Sequence, residues 1–279
     1  MADSLLGLDD RTVLVIGAGP GIGSACADVA SRAGARVAAL DFAQERAAAT
    51  ARAITGRGGE AVPYVANVLD DDQLRTAISE VDKQFGGIDG VISVVGGSTW
   101  LPSLDLETSD FDHDYRLNLR YFFVAAQAVA RTAVARDRGA AITAITSIHG
   151  ERSAPYHVGY GAAKAGLINL VKSLAVEWAG YRIRVNAVAP GVTVKATRPR
   201  GTPQEEEALA AGIPMARRAD PVDIANAAVF LVSDMSTMIT GHTLSVDGGF
   251  LSAGPYDTRR FAPPPGQKRS AYRDLDPVG

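Results

Sequence analysis

The chain has 279 residues, 47% hydrophobic and 21% charged, with a formal charge of −3 and a pI near 5.8. Such a composition buries a large core as one big domain or two small ones, and its scattered Lys and Arg offer no basic face to a nucleic acid. The opening MADSLLGLDDRT lacks a basic region followed by an apolar stretch, and no apolar run reaches membrane-spanning length, which reads as a cytoplasmic, membrane-free protein.

Along the chain, short β-branched runs alternate with longer helix-compatible stretches. TVLVIG (12–17) precedes SACADVASRAG, RVAALD (36–41) precedes AQERAAATARAI, and AVPYVANV (61–68) precedes DDQLRTAISEVDKQF. GVISVV (90–95) leads to one long helical stretch over 110–135, then AAITAITS (140–147) to the helix carrying GYGAAKAG. RIRVNAVAP, VDIANAAVFLVS and HTLSVDGG close the series. The alternation predicts an α/β fold: a single doubly wound, Rossmann-like parallel β-sheet with helices on both faces, within a domain over 1–250. Runs apolar on both faces, such as TVLVI, belong inside that sheet. Cys26, the only cysteine, lies in the first helical stretch as a buried inert thiol. His113, His149, His157 and His242 have no ligand spacing, so no metal is expected.

Two segments break the pattern. Residues 192–216 are rich in Pro, Gly and charge, the composition of a lid and equally of a surface loop. Residues 251–279 form a Pro-rich tail with too few apolar side chains for a core.

Chemistry concentrates at two places. GAGPGIG follows the first strand and opens a helix, so Gly17, Gly21 and Gly23 let backbone N–H groups approach a pyrophosphate at a helix N-terminus. Asp41 ends the second strand, where its carboxylate either accepts from the adenosine ribose hydroxyls or caps the next helix. The second place is GYGAAKAG: Tyr160 and Lys164, at i and i+4, share a helical face among residues almost without side chains.

These motifs carry a resemblance. From about residue 9 to 250 the chain resembles a compact short-chain dehydrogenase/reductase: GAGPGIG is similar to that family's cofactor turn, Asn118 in RLNLRYFF to its helical asparagine, Ser147 in ITSIHG to its strand-end serine, and Tyr160 with Lys164 to its YxxxK. VNAVAPG and TGHTLSVDGG match further segments. The resemblance implies hydride transfer between a secondary alcohol and a ketone, with NAD as cofactor. It nominates Asn118, Ser147, Tyr160 and Lys164 as the catalytic tetrad, and Gly17, Gly21, Ile22, Gly23, Asp41, Asn67, Val68, Gly96, Tyr160, Lys164, Pro190, Gly191 and Thr193 as cofactor contacts. Lys164, with the charge of oxidised nicotinamide, is expected to bring the Tyr160 phenol down toward neutral pH. A nicotinamide sensor without turnover and an NAD-using isomerase or epimerase are the competing readings.

Departures from the family pattern are specific. Ile16 precedes the first glycine where Thr is common, and Asn67 stands where Asp is common. Ser93-Val94-Val95-Gly96 replaces Asn-Asn-Ala-Gly, which is expected to remove side-chain bracing from the fourth strand. Lys195 occupies the place of a nicotinamide-contacting threonine, which Thr193 or Thr197 would replace. For the substrate, a small alcohol or ketone, the loops at the strand ends nominate Trp100, His149 and Tyr156, with Ser98, Leu101 and segment 192–216 beside them. Trp100, Leu101 and Tyr156 suggest an apolar, cyclic compound, while Arg198 and Arg200 are candidates for a carboxylate. Small and apolar residues in YFFVAAQAVA and GAAKAGLINLVKSLAV predict a homo-oligomer, a tetramer packed through these helices.

Overall fold

The structure, a computed structural model, describes residues 5–195 and 199–253. Thr197, Arg198 and the tail from residue 254 onward lie outside the described residues.

Seven parallel strands form one sheet in the order β3-β2-β1-β4-β5-β6-β7. They are β1 (Thr12–Ile16), β2 (Arg36–Asp41), β3 (Ala61–Val65), β4 (Gly90–Ser93), β5 (Ala140–Ile145), β6 (Ile183–Pro190) and β7 (Thr243–Val246). The helices are α1 (Ile22–Arg32), α2 (Gln44–Thr55), α3 (Asp71–Phe85), α4 (Thr108–Tyr115), α5 (Tyr121–Ala135), α6 (Val158–Trp178), α7 (Pro203–Leu209), α8 (Pro221–Val232) and α9 (Phe250–Ala253). β1 is buried throughout, and its pleat divides its side chains between two cores. Val13 and Val15 pack with Cys26 and Ala27 of α1 and Ile224 and Ala228 of α8. Leu14 and Ile16 pack with Leu74 and Ile78 of α3, Phe122 of α5 and Leu167 of α6. An apolar run with no polar face is therefore what a strand covered on both sides requires. Burial pushes the Cys26 thiol up to about 12, which keeps it protonated and unreactive.

The chain reverses its direction of travel across the sheet between β1 and β4, both paired to each other at Ile16 and Ser93. Such a switch opens a crevice at the carboxyl ends of the strands. Gly23 makes the adjoining turn possible, since a Cβ there would lie 1.8 Å from the Gly17 carbonyl oxygen.

Three local features differ from the expectations. The stretch 110–135 is not one regular helix: residues Arg116–Arg120 form a π-helical turn between α4 and α5. The widened turn lets the Asn118 amide donate to the Asp114 carbonyl (2.8 Å), four residues back. Segment 192–216 contains a helix, α7, capped by Thr202 and anchored at its base. There Arg218, 2% exposed, holds both carboxylate oxygens of Glu206 (3.0 and 2.5 Å) and the Pro199 carbonyl (3.1 Å). The expected loss of bracing at β4 does not occur, because Ser93 Oγ donates to the buried Tyr121 hydroxyl (3.0 Å), which in turn donates to the Val95 carbonyl (2.7 Å). The last described residues, 250–253, are helical. No helix among the described residues is long and apolar enough to cross a membrane.

Candidate active site

The four nominated catalytic side chains come together at the carboxyl edge of the sheet. Ser147 lies two residues past β5, in extended backbone, and its hydroxyl accepts from the His149 amide (3.1 Å). α6 then delivers Tyr160 and Lys164 from its first two turns. The Lys164 ammonium is 2% exposed, donates to the Ile145 carbonyl (2.9 Å), and sits 5.6 Å from the centroid of the Tyr160 ring. Asn118, fully buried in the π turn, grips the loop after β4 in both directions: Nδ2 donates to the Gly97 carbonyl (2.7 Å) and Oδ1 accepts from its amide (3.2 Å). Gly96 lies directly over the two polar tips, since a Cβ there would meet Asn118 Oδ1 at 2.8 Å and Lys164 Nζ at 3.1 Å.

Electrostatics at this cluster run against the expectation from sequence. Burial pushes the Tyr160 phenol up, opposed by its hydrogen bond with Ser147 and reinforced by the Asp114 carboxylate. Burial likewise pulls Lys164 down, to about 7. The Lys164 ammonium is directed at the Ile145 backbone carbonyl. The fold alone therefore disfavours both charges.

The glycine turn has the shape a dinucleotide pyrophosphate needs. Gly21, at the N-terminus of α1, has φ of 111° and open space where a Cβ would stand; Gly17 has φ of 85° and presses on Val95. Ile22 and Gly23 start the helix behind them. Asp41 is nearly buried, accepting from the Gly19 amide (3.0 Å) and the Ala43 amide (3.2 Å), so it braces both the glycine turn and the entry to α2. Each oxygen keeps a second lone pair for a ribose hydroxyl. The cation missing from the turn arrives from α2: Arg46 Nε is 3.5 Å from Asp41 Oδ1, and the guanidinium covers Gly19. Asn67 is exposed, its Oδ1 accepting from the Leu69 amide (3.0 Å), with Val68 buried beside it. Pro190 ends β6, and Gly191 crosses so close to Asp247 that a Cβ would stand 2.8 Å from its Cα. Thr193 Oγ1 donates to the Gly191 carbonyl (3.1 Å).

Of the substrate candidates, His149 and Trp100 join an aromatic group around Tyr160, whereas Tyr156 makes no ring contact among the described residues and sits exposed with φ of 65°. The group contains a member not nominated from the sequence, His157, whose ring centroid is 6.1 Å from that of Tyr160. Its position three residues before Tyr160 was the available signal, since i and i+3 share a helical face. Asp114, four residues before Asn118, was missed for want of any recognisable motif; it accepts from the Thr99 amide and hydroxyl (both 3.1 Å).

A half-buried phenol held between a serine and a lysine, at the carboxyl edge of a doubly wound sheet, is the equipment of an oxidoreductase, and known proteins bear this out. A family model described as Enoyl-(Acyl carrier protein) reductase matches residues 17–251. The D-threitol dehydrogenase of Mycolicibacterium smegmatis is 36% identical over 249 residues, 87% of this chain and 94% of that protein. A 3-oxoacyl-(acyl-carrier-protein) reductase of Thermotoga maritima is 32% identical, covering 88% of this chain and 99% of its own. The solved structure of a 7α-hydroxysteroid dehydrogenase complexed with NADH and 7-oxo glycochenodeoxycholic acid superposes with a TM-score of 0.83 at 31% identity, covering 89% of this chain and 97% of that one. The chain belongs to the short-chain dehydrogenase/reductase family and is an oxidoreductase.

Proposed function

We propose that the protein is an NAD(H)-dependent enzyme that interconverts a secondary alcohol and a ketone. The observation that carries this reading is the convergence of Tyr160, Ser147 and Lys164 at the carboxyl edge of the sheet, with Asn118 locking the adjoining loop. NAD supplies hydride exchange at its nicotinamide when bound. The glycine turn, Asp41, Asn67, Val68, Gly96, Pro190, Gly191 and Thr193 are the residues that would hold it. Ser147 donates to the substrate oxygen and fixes it beside Tyr160. In reduction the Tyr160 hydroxyl protonates the developing alkoxide, and in oxidation the phenolate removes the carbinol proton. Lys164 stabilises that phenolate to the extent that it is charged, and Asn118 keeps Gly97 from closing over the pair.

Asp41 supports a preference for NAD, because a 2′-phosphate would approach its carboxylate. Arg46 supports a second cofactor reading: a guanidinium paired with Asp41 softens that repulsion and gives NADP some access. A homotetramer is proposed on the apolar side chains that α4, α5 and α6 leave outside the core. The test of function is a panel of alcohols and ketones followed through the absorbance of reduced nicotinamide. Turnover rules out a pure sensor; tight NAD binding without turnover of any member would sink the enzyme reading.

A further inference from the structure

Above Tyr160 the site is ringed by nitrogen heterocycles. The His149 and His157 rings meet edge to face at 5.2 Å between centroids, and each lies 6.1 Å from the Tyr160 ring, also edge to face. Trp100, 69% exposed, stands 5.8 Å from His157 on the outer side. His149 comes from the turn after β5, His157 from the start of α6 and Trp100 from the loop after β4, so three separate segments converge on the phenol.

The hydrogen bonds of these rings define what they lack. His157 Nδ1 donates to the Pro155 carbonyl oxygen (2.9 Å), which only accepts, and this leaves Nε2 as the ring nitrogen without a partner among the described residues. Among the described residues, neither ring nitrogen of His149 and not the Trp100 indole N–H has a hydrogen-bond partner, so the half-buried His149 offers one donor and one acceptor. Burial, the neighbouring His157 and Lys195 all pull His149 down, which keeps its ring neutral and its acceptor available. A hydrocarbon skeleton seated on Tyr160 would bury these imidazole nitrogens without partners. A ligand bearing hydroxyls, each both donor and acceptor, satisfies them. The exposed indole face beside them suits the C–H face of a carbohydrate.

We infer that His149, His157 and Trp100 form a hydroxyl-reading subsite beside Tyr160, and that the substrate is a polyol or sugar oxidised at a carbinol whose neighbouring carbon bears a second hydroxyl. This rests on the hydride-transfer reading above and replaces the apolar cyclic compound suggested by Trp100, Leu101 and Tyr156 in the sequence. The carbinol carbon loses its hydrogen with both bonding electrons to oxidised nicotinamide, and its hydroxyl proton passes through Tyr160 to solvent. The products are a hydroxyketone and reduced nicotinamide.

The test compares erythritol, xylitol, sorbitol and myo-inositol with the secondary butanol, pentanol and hexanol and with cyclohexanol, in wild type, His149→Phe, His157→Phe and Trp100→Ala. Phe keeps the ring and removes its nitrogens. In wild type the best polyol should exceed its matched monohydric alcohol in kcat/KM by on the order of tenfold or more, and each His→Phe change should lower that ratio by about tenfold. Trp100→Ala should raise KM for inositol more than it lowers kcat. A wild type that favours the monohydric alcohols, or His variants that leave the ratio unchanged, overturns the inference while the hydride-transfer reading stands. A wild type that quenches reduced-nicotinamide fluorescence on binding but turns over neither set overturns both.

Discussion

Half-buried Tyr160 and buried Lys164 each carry a charge the fold resists, and the consequences for catalysis and stability differ. In the proposed mechanism Tyr160 moves the carbinol proton, so Tyr160→Phe should lower kcat by roughly 10²–10⁴-fold while changing the dissociation constant for NADH little, as read by fluorescence titration. Near-normal turnover in that variant would remove the mechanism. Lys164 bears on stability. Its pKa falls from 10.5 to about 7 in the folded chain, so between those values the unfolded chain binds more protons than the folded one. Stability from this group therefore rises as pH increases from about 7 toward 10.5, and the burden is fully present below 7. Lys164→Met, free of that burden, should be more stable than wild type at pH 7 in the absence of cofactor, with the difference shrinking by pH 9.5, and should lose turnover. Denaturant melts at the two pH values check the sign. At the cofactor end, Asp41 and Arg46 oppose one another. NAD should be favoured over NADP by roughly ten- to a hundredfold in kcat/KM, Asp41→Ala should lower that preference, and Arg46→Ala should raise it. An unchanged ratio in Asp41→Ala would leave Asp41 as a brace of the glycine turn alone.

At the scale of elements, the anchored helix α7 makes a claim of its own. Glu206 is held down at about 2, chiefly by its hydrogen bond with Arg218 and then by the Gly201 amide. Because the folded value lies below the ordinary 4.5, the attachment contributes fully above 4.5 and is lost as pH falls toward 2. Hydrogen exchange in residues 203–209 should accelerate across that window, and Glu206→Gln should show the faster exchange already at pH 7. Equal protection in the variant would mean that packing alone holds α7. This helix also marks where the sequence stopped being legible. Strands such as TVLVI declare themselves because burial on both faces leaves no room for polar residues, and Gly23 declares itself because no Cβ fits against Gly17. The π turn at Asn118 does not, since its cause is a loop lying 21 residues away in sequence. Ser93 likewise looked like a lost brace because its partner, Tyr121, is 28 residues distant. The nominated tetrad was legible through the family resemblance, with only Tyr160 and Lys164 set on one helical face by their own spacing. His157 and Arg46 acquire their roles from rings and carboxylates supplied by other elements, which spacing does not report.

The molecule as a whole has apolar surface that its own core does not use. On α5 the side chains of Tyr121, Phe122, Val124 and Ala125 face inward, which leaves Phe123 on the outside; Phe111 and Tyr115 of α4 are also exposed, as are Val158 and Val176 of α6. Helix α6 is 21 residues long and meets α4 and the π turn on one side, so the same unit that carries Asn118 and Tyr160 presents these groups to solvent. Scattered apolar residues need no explanation, but several on helices that pack against one another are surface that a self-complementary interface would gather into one patch. The proposed tetramer places that patch against its copy. Light scattering on the eluted protein should give about four times the 29.1 kDa chain mass. Phe123→Asp, which puts a charge on the patch without touching either core, should reduce the assembly to a smaller species. Because the α4–α5 junction holds Asn118, and Asn118 holds Gly97, loosening that face should also lower kcat even though Phe123 is no part of the site. A wild-type monomer, or a Phe123→Asp protein that keeps the full assembly, would place the subunit contacts elsewhere or nowhere.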